Sequence, residues 1–206
     1  MLSHIKKLLS LTLITGLASG ASVSLHAGSH EPLDGKSVAI LVGDGFHDGE
    51  ALSPMFYLRE KGAEVTLIGV AEETISAYNS EVSLQIETTF SDVEPGDYHA
   101  IILPGGQGPA NLREHEVVLD WVRNFAEYER PIASICHGPQ VLASAGLLEG
   151  VTTTCIASIE GEVEEAGADY VDEEVVVDGI FISSRLPGDL PAFQEAIAAA
   201  LKEDNY

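Results

Sequence analysis

Residues 134–139 read SICHGP, a cysteine and a histidine side by side after an apolar run and before a glycine. Ionised cysteine is a strong nucleophile, and imidazole is a base that works near neutral pH. The apolar run ends at Ile135 and a helical pattern opens at Gly138, so Cys136 falls on a strand-to-helix turn, a nucleophile elbow. Such a turn lifts its side chain out of a sheet and faces it toward the free amides of the next helix, which lower a thiol's pKa. A thiolate at Cys136 is therefore the expected attacking group. The competing reading is a small core hydrophobe. His137 is the neighbouring base candidate, or else a loop residue with a satisfied hydrogen bond. No spaced set of Cys and His joins this pair, so a metal is not expected; thiolate chemistry with a proton shuttle calls for no organic cofactor either.

Two other stretches could complete the chemistry. Pro104-Gly105-Gly106 follows an apolar run and leaves backbone N–H groups bare, able to hold a developing oxyanion at a value of ~3 kcal/mol per donor. Glu50 falls in the first turn of the helix after the first strand, at the same end of the sheet. Buried beside a thiolate it would hold its proton and act as hydrogen-bond donor or proton shuttle. Its alternative is a carboxylate favoured only by the helix dipole.

These groups meet only if three loops open along one edge of a sheet. The run 37–42 (SVAILV) reads as a strand buried on both faces, followed by a helix over 48–61 that Gly62 stops. Strands are expected at 65–70, 100–103, 131–135 and 152–156, with helices over 115–128, 138–144, 158–166 and 191–201. Residues 175–183 read as a hairpin turning at Asp178-Gly179, and 71–98 as short strands and loops. Strands alternating with helices give the α/β class, a mostly parallel sheet covered on both sides. Ligands then bind at the carboxyl ends of the strands, near a topological switch point. That rule selects the loops 43–50, 104–109 and 136–139.

A chain of 206 residues, 45% hydrophobic, supplies a full core for one domain. Residues 1–27 combine two lysines, an apolar stretch and small residues ending at Ala27, the pattern of a signal peptide. Gly16, Gly20 and several serines make that stretch a poor spanning helix. The chain is thus expected to be exported, periplasmic or secreted, with cleavage near Ala27, a polar lead-in over 28–36 and the domain over 37–206. The formal charge of −23 argues against nucleic acid and anionic membrane surfaces as partners. The acids concentrated in 160–174 read as a solvated face. Export would favour a Cys136–Cys155 disulfide, whereas the elbow position of Cys136 favours two free thiols.

The stretches GDGFHDGEALSPMFYLREKGAEVTLIG, ILPGG, ASICHGPQVLASAGLL and EEAGADYVDEEVVVDGIFISSRLPGDLPAF occur in this order. Together they resemble the PfpI family, the superfamily of intracellular-protease-like, glyoxalase III and protein-deglycase proteins, across nearly all of 37–201. The resemblance implies a flavodoxin-like three-layer sandwich of class I glutamine amidotransferase type, assembled as a dimer or larger ring. It implies Cys136 as nucleophile, His137 beside it, Glu50 as the elbow glutamate, and the amides of Gly106 and His137 as oxyanion donors. Two positions depart from the pattern. Ala110 stands where the protease-like branch carries a glutamate that orients the histidine. His47 stands where an acid often precedes the elbow glutamate, and is a possible auxiliary base. Without an acid partner an imidazole is a less well-oriented base. The expected function is therefore a cysteine-dependent reaction on small reactive carbonyls, with a peptidase or amidase next. A non-enzymatic holdase or thiol redox sensor is the third reading, and an amidotransferase, lacking a late His-x-Glu pair, the last.

Overall fold

A computed structural model describes residues 32–203. The leader expected at 1–27 lies outside the described residues. In chain order the elements are β1 (Ser37–Leu41), α1 (Asp48–Glu60), β2 (Glu64–Ile68), β3 (Thr74–Ser76), β4 (Ser83–Gln85), β5 (Ala100–Leu103), α2 (Gly108–Leu112) and α3 (Glu116–Ala126). There follow β6 (Ile132–Ile135), α4 (Pro139–Ala145), β7 (Thr152–Thr153), α5 (Glu160–Glu165), β8 (Asp169–Tyr170), β9 (Val175–Asp178), β10 (Phe181–Ser184) and α6 (Leu190–Glu203).

Six strands form the central sheet in the order β2-β1-β5-β6-β10-β9, parallel except for β9 against β10. The apolar runs explain why. Along β1 and its end, Val38, Ile40 and Val42 pack into one core with Met55, Leu58, Phe193, Ile197 and Leu201. Ala39 and Leu41 point the other way, into a core with Trp121, Val122, Phe125, Val141 and Leu142. Alternation with period two delivers apolar side chains to both faces, so each face carries a helical layer. The α/β sandwich expected from the sequence is the fold observed. The chain leaves β1 first toward β2 and then toward β5, so the sheet's switch point lies between β1 and β5.

Several local expectations change. Residues 32–36, read as part of a lead-in, form a turn in which Leu33 is buried and its amide bonds Lys61 O. The strand expected over 152–156 shrinks to β7, which pairs with β8 outside the main sheet. Its neighbours' polar groups go to side chains instead. Thr152 N–H donates to Asp178 Oδ2 at 2.7 Å and Thr154 N–H to Ser183 Oγ at 2.9 Å. The hairpin turn sits one residue later than expected, over Gly179 and Ile180, because Asp178 pairs directly with Phe181. The helix α2, read as loop, begins with the Gly-Pro that suits a helix start.

Gly138, at the start of α4, lies close against the end of β5. A Cβ at Gly138 would fall onto the backbone oxygen of Leu103 and 3.0 Å from Ile135 N and O. Gly138→Ala must push α4 off the sheet, and we expect it to cost about 3 kcal/mol of unfolding free energy. Urea denaturation measures this; an unchanged midpoint would contradict the packing described.

Candidate active site

Cys136 follows the last residue of β6, in the left-handed region at φ 60°. A non-glycine residue there carries strain of ~1–3 kcal/mol, which the surroundings must hold in place. They do so through the backbone: Cys136 N–H donates to Ser184 O at 3.0 Å, and Cys136 O accepts from Ile156 N–H at 3.2 Å. The neighbouring strand β10 and the segment after β7 thus pin the elbow that the strand-turn-helix pattern implied. The side chain is 4% exposed. The amides of Gly106 and His137 donate toward its sulfur. Cys136 and Cys155 are both free and buried.

Glu50 reaches the same point from the first turn of α1 and is fully buried. Gly105 N–H donates to its Oε2 at 2.8 Å. Its Oε1 is buried without a partner of good hydrogen-bond geometry. The carboxyl also interacts with the Cys136 thiol closely enough to shift both titrations. Burial pushes Glu50 up to about 7; the Gly105 amide and the thiol pull the other way, less strongly. The Pro-Gly-Gly turn makes room for this meeting. A Cβ at Gly105 would lie 2.7 Å from both Cys136 Cβ and Glu50 Oε2. At Gly106, φ is 83° and the backbone of Gly45 to His47 packs against it, so only glycine fits there too.

One expectation fails. The helix amides do not give a preformed thiolate, because burial pushes the Cys136 thiol up to about 12, with the Glu50 carboxylate the next cause. The amide donors lower it, but by less than the loss of water raises it. The two acids titrate as a pair: Glu50 loses its proton first, at about 7, and its charge then adds to the cost of ionising the sulfur. Alkylation by iodoacetamide should therefore be slow at pH 7 and climb roughly tenfold per pH unit toward pH 9, as the thiolate fraction does. Peptide mapping separates Cys136 from Cys155. A full rate already at pH 7 would contradict this.

The His137 ring lies against the sulfur, Nδ1 to Sγ 3.3 Å, with Nε2 3.4 Å from Ser158 Oγ. Burial lowers its pKa, and the Glu162 carboxylate partly offsets this. His47 stands at the start of α1 as expected, but it joins the site by backbone, donating its N–H to Gly105 O at 3.1 Å. Its ring meets Tyr78 edge-on at 5.8 Å, and its Nδ1, 3.6 Å from Asp48 Oδ1, has no hydrogen bond. Among the described residues no hydrogen bond joins the His47 ring to Cys136 or Glu50.

Beside the elbow lies a pocket of about 410 Å³ lined by Tyr78, Gly106, Gln107, Ala110, His137 and Gln140, which it reaches through Gly106 and His137. Tyr78, Gln107 and Gln140 went unnoticed in the sequence. Tyr78 lies in the stretch 71–98, where the pattern resolves no element. The β3–β4 hairpin carries it, fastened to the first loop by Gly45 N–H to Ser76 O at 2.8 Å and Tyr78 N–H to Phe46 O at 3.2 Å. Among the described residues no three His, Cys, Asp or Glu gather as metal ligands.

Residues 36–200 match the DJ-1/PfpI family. A deglycase of Thermococcus kodakarensis is 38% identical over 165 residues, covering 80% of this chain and 99% of the relative. A protein/nucleic acid deglycase of Escherichia coli is 39% identical over 160 residues, 77% of this chain and 93% of its own. Among solved structures, DJ-1beta of Drosophila melanogaster superposes with a TM-score of 0.76 at 30% identity, covering 82% of this chain and 91% of that one.

Proposed function

We propose that this chain, which belongs to the DJ-1/PfpI family, is a cysteine-dependent enzyme that acts on small reactive carbonyls, with α-oxoaldehydes as its substrate class. The observation that carries this reading is the buried Glu50 carboxyl, held near the sulfur and pushed up to about 7. A group poised there exchanges a proton in both directions near neutral pH. Moving a proton between two carbons needs such a shuttle, while peptide hydrolysis needs above all a well-oriented imidazole.

The residues support the following sequence. The Cys136 sulfur adds to the aldehyde carbon while its proton passes to His137 Nδ1 or to the Glu50 carboxylate. This coupling is required because the thiol does not ionise by itself. The amides of Gly106 and His137 would hold the hemithioacetal oxygen. The proton lost by the sulfur passes to the hemithioacetal oxygen, leaving Glu50 a carboxylate; Glu50 then takes the proton from that carbon and returns it to the neighbouring carbonyl carbon as the hydroxyl proton moves to the neighbouring oxygen, giving a 2-hydroxy thioester on Cys136. Water cleaves the thioester, releasing the 2-hydroxy acid and restoring the thiol; no external oxidant or reductant enters. The pocket is lined by uncharged polar groups besides His137, which suits a small neutral substrate. Relatives named deglycases support this reading.

A cysteine peptidase is the second reading, favoured by the 3.3 Å contact of His137 Nδ1 with Sγ. Ala110 lines the pocket without a carboxylate, which weakens it. Reduced protein offered methylglyoxal and a fluorogenic peptide in parallel tests the two. Lactate formation with an intact peptide is expected; peptide cleavage without lactate would overturn the carbonyl reading. In this proposal the enzyme is an exported homo-oligomer that takes a small carbonyl as its ligand.

A further inference from the structure

The acid missing at Ala110 leaves open what orients His137. Both ring nitrogens are engaged, Nδ1 by the Cys136 sulfur and Nε2 by Ser158 Oγ. A neutral imidazole carries one proton, and its location decides the chemistry. On Nδ1 the proton points at the sulfur and the ring cannot accept the thiol's own. On Nε2 it points at Ser158, and the Nδ1 lone pair faces the thiol. A serine hydroxyl accepts or donates equally well, so Ser158 can accept from an Nε2–H.

Glu162, four residues further on in α5, acts on the ring by its charge. Its carboxylate is fixed from two sides. Gln140 Nε2 donates to Oε2 at 2.7 Å, and Arg113, at the end of α2, pairs with Oε1. Gln140, which also lines the pocket, is itself buried. A thiol that keeps its proton can donate it only to a bare Nδ1, which puts the ring proton on Nε2 toward Ser158. The ionisable groups around the imidazole are Cys136 on Nδ1, Tyr78 across the pocket and Glu162; Arg113 is engaged by Glu162.

We propose that Ser158 and Glu162 are positioning residues of this site, holding His137 as its Nε2–H tautomer with the Nδ1 lone pair on the Cys136 thiol. In this chain a hydroxyl and a carboxylate from the segment after β7 stand in for the carboxylate absent at Ala110. Only the use made of that lone pair rests on the function proposed above.

The test is 15N NMR of protein labelled in its seven histidines, with His137 assigned by the signal lost in His137→Asn. Wild-type protein above the imidazole pKa should show Nε2 protonated and Nδ1 bare. Ser158→Ala should shift His137 toward a mixture of tautomers, and Ser158→Thr should restore it. Glu162→Gln should lower the His137 midpoint by roughly 0.5–1 pH unit, since it removes a negative charge. Ser158 is exposed, so its variants keep the question decidable if Glu162→Gln disturbs the fold. An unchanged tautomer in Ser158→Ala would overturn the proposal. The spectra need no substrate: absence of methylglyoxal turnover with the tautomer as expected would sink the function and leave this inference standing.

Discussion

Cys136→Ser is expected to lower methylglyoxal turnover by on the order of 10⁴-fold, a loss typical of removing a nucleophile. The reason is chemical rather than structural. Serine keeps the shape, and its hydroxyl can accept the Gly106 and His137 amides that face the sulfur. A hydroxyl, however, is a far weaker acid than a thiol, and burial with a neighbouring carboxylate already holds even the thiol at about 12. With the same base at hand, the alkoxide is out of reach. Residual activity within tenfold of wild type would mean that the carbonyl is attacked by another group.

Glu50→Gln is the second large effect, and it separates catalysis from stability by sign. The amide can still accept the Gly105 N–H, so the turn should persist. It cannot carry a proton between carbons, and turnover should fall by about 10² to 10⁴-fold, the usual share of general acid–base catalysis. The wild-type rate should rise with pH through about 7 as Glu50 becomes a base, and this inflection should vanish in the variant. Stability should move the other way. A carboxyl raised from 4.5 to about 7 by folding binds its proton more tightly in the native state. Its contribution is intact below pH 4.5 and is lost as pH rises through about 7, a loss of up to about 3 kcal/mol. Glu50→Gln should therefore be nearly neutral in stability at pH 4 and stabilising at pH 8. Denaturant midpoints at the two pH values measure this. Equal midpoints for both proteins at pH 8 would mean that the carboxyl is not strained by burial.

The fold was legible because its signals are local. Apolar runs ending in Gly43, Pro104 and Cys136 mark buried parallel strands and the loops at their carboxyl ends. Those loops carry Cys136, His137, Glu50 and Gly106, and the structure gathers all four. What escaped depends on burial and on distance along the chain. The thiol's acidity was read from the amides beside it, whereas removal of water and a carboxylate 86 residues away decide it. His47 has the type of an auxiliary base, yet its ring turns to Tyr78, a neighbour no periodicity announces. Glu162 looked like one acid in a solvated run; only α2 and α4 packing beside it single it out. The shortening of the strand at 152–156 is of the same kind, since side chains of β9 and β10 take its amides.

Central to the mechanism is that the substrate becomes covalently attached to the Cys136 sulfur and that Glu50 then acts on the adduct. The most direct measurement is 13C NMR of Glu50→Gln mixed with methylglyoxal labelled at its aldehyde carbon, with Cys136→Ser as the control. The prediction is a protein-bound hemithioacetal carbon signal that accumulates in Glu50→Gln beyond its wild-type level and is lost in Cys136→Ser. An unmodified Cys136, with lactate still formed by the wild-type protein, would contradict it.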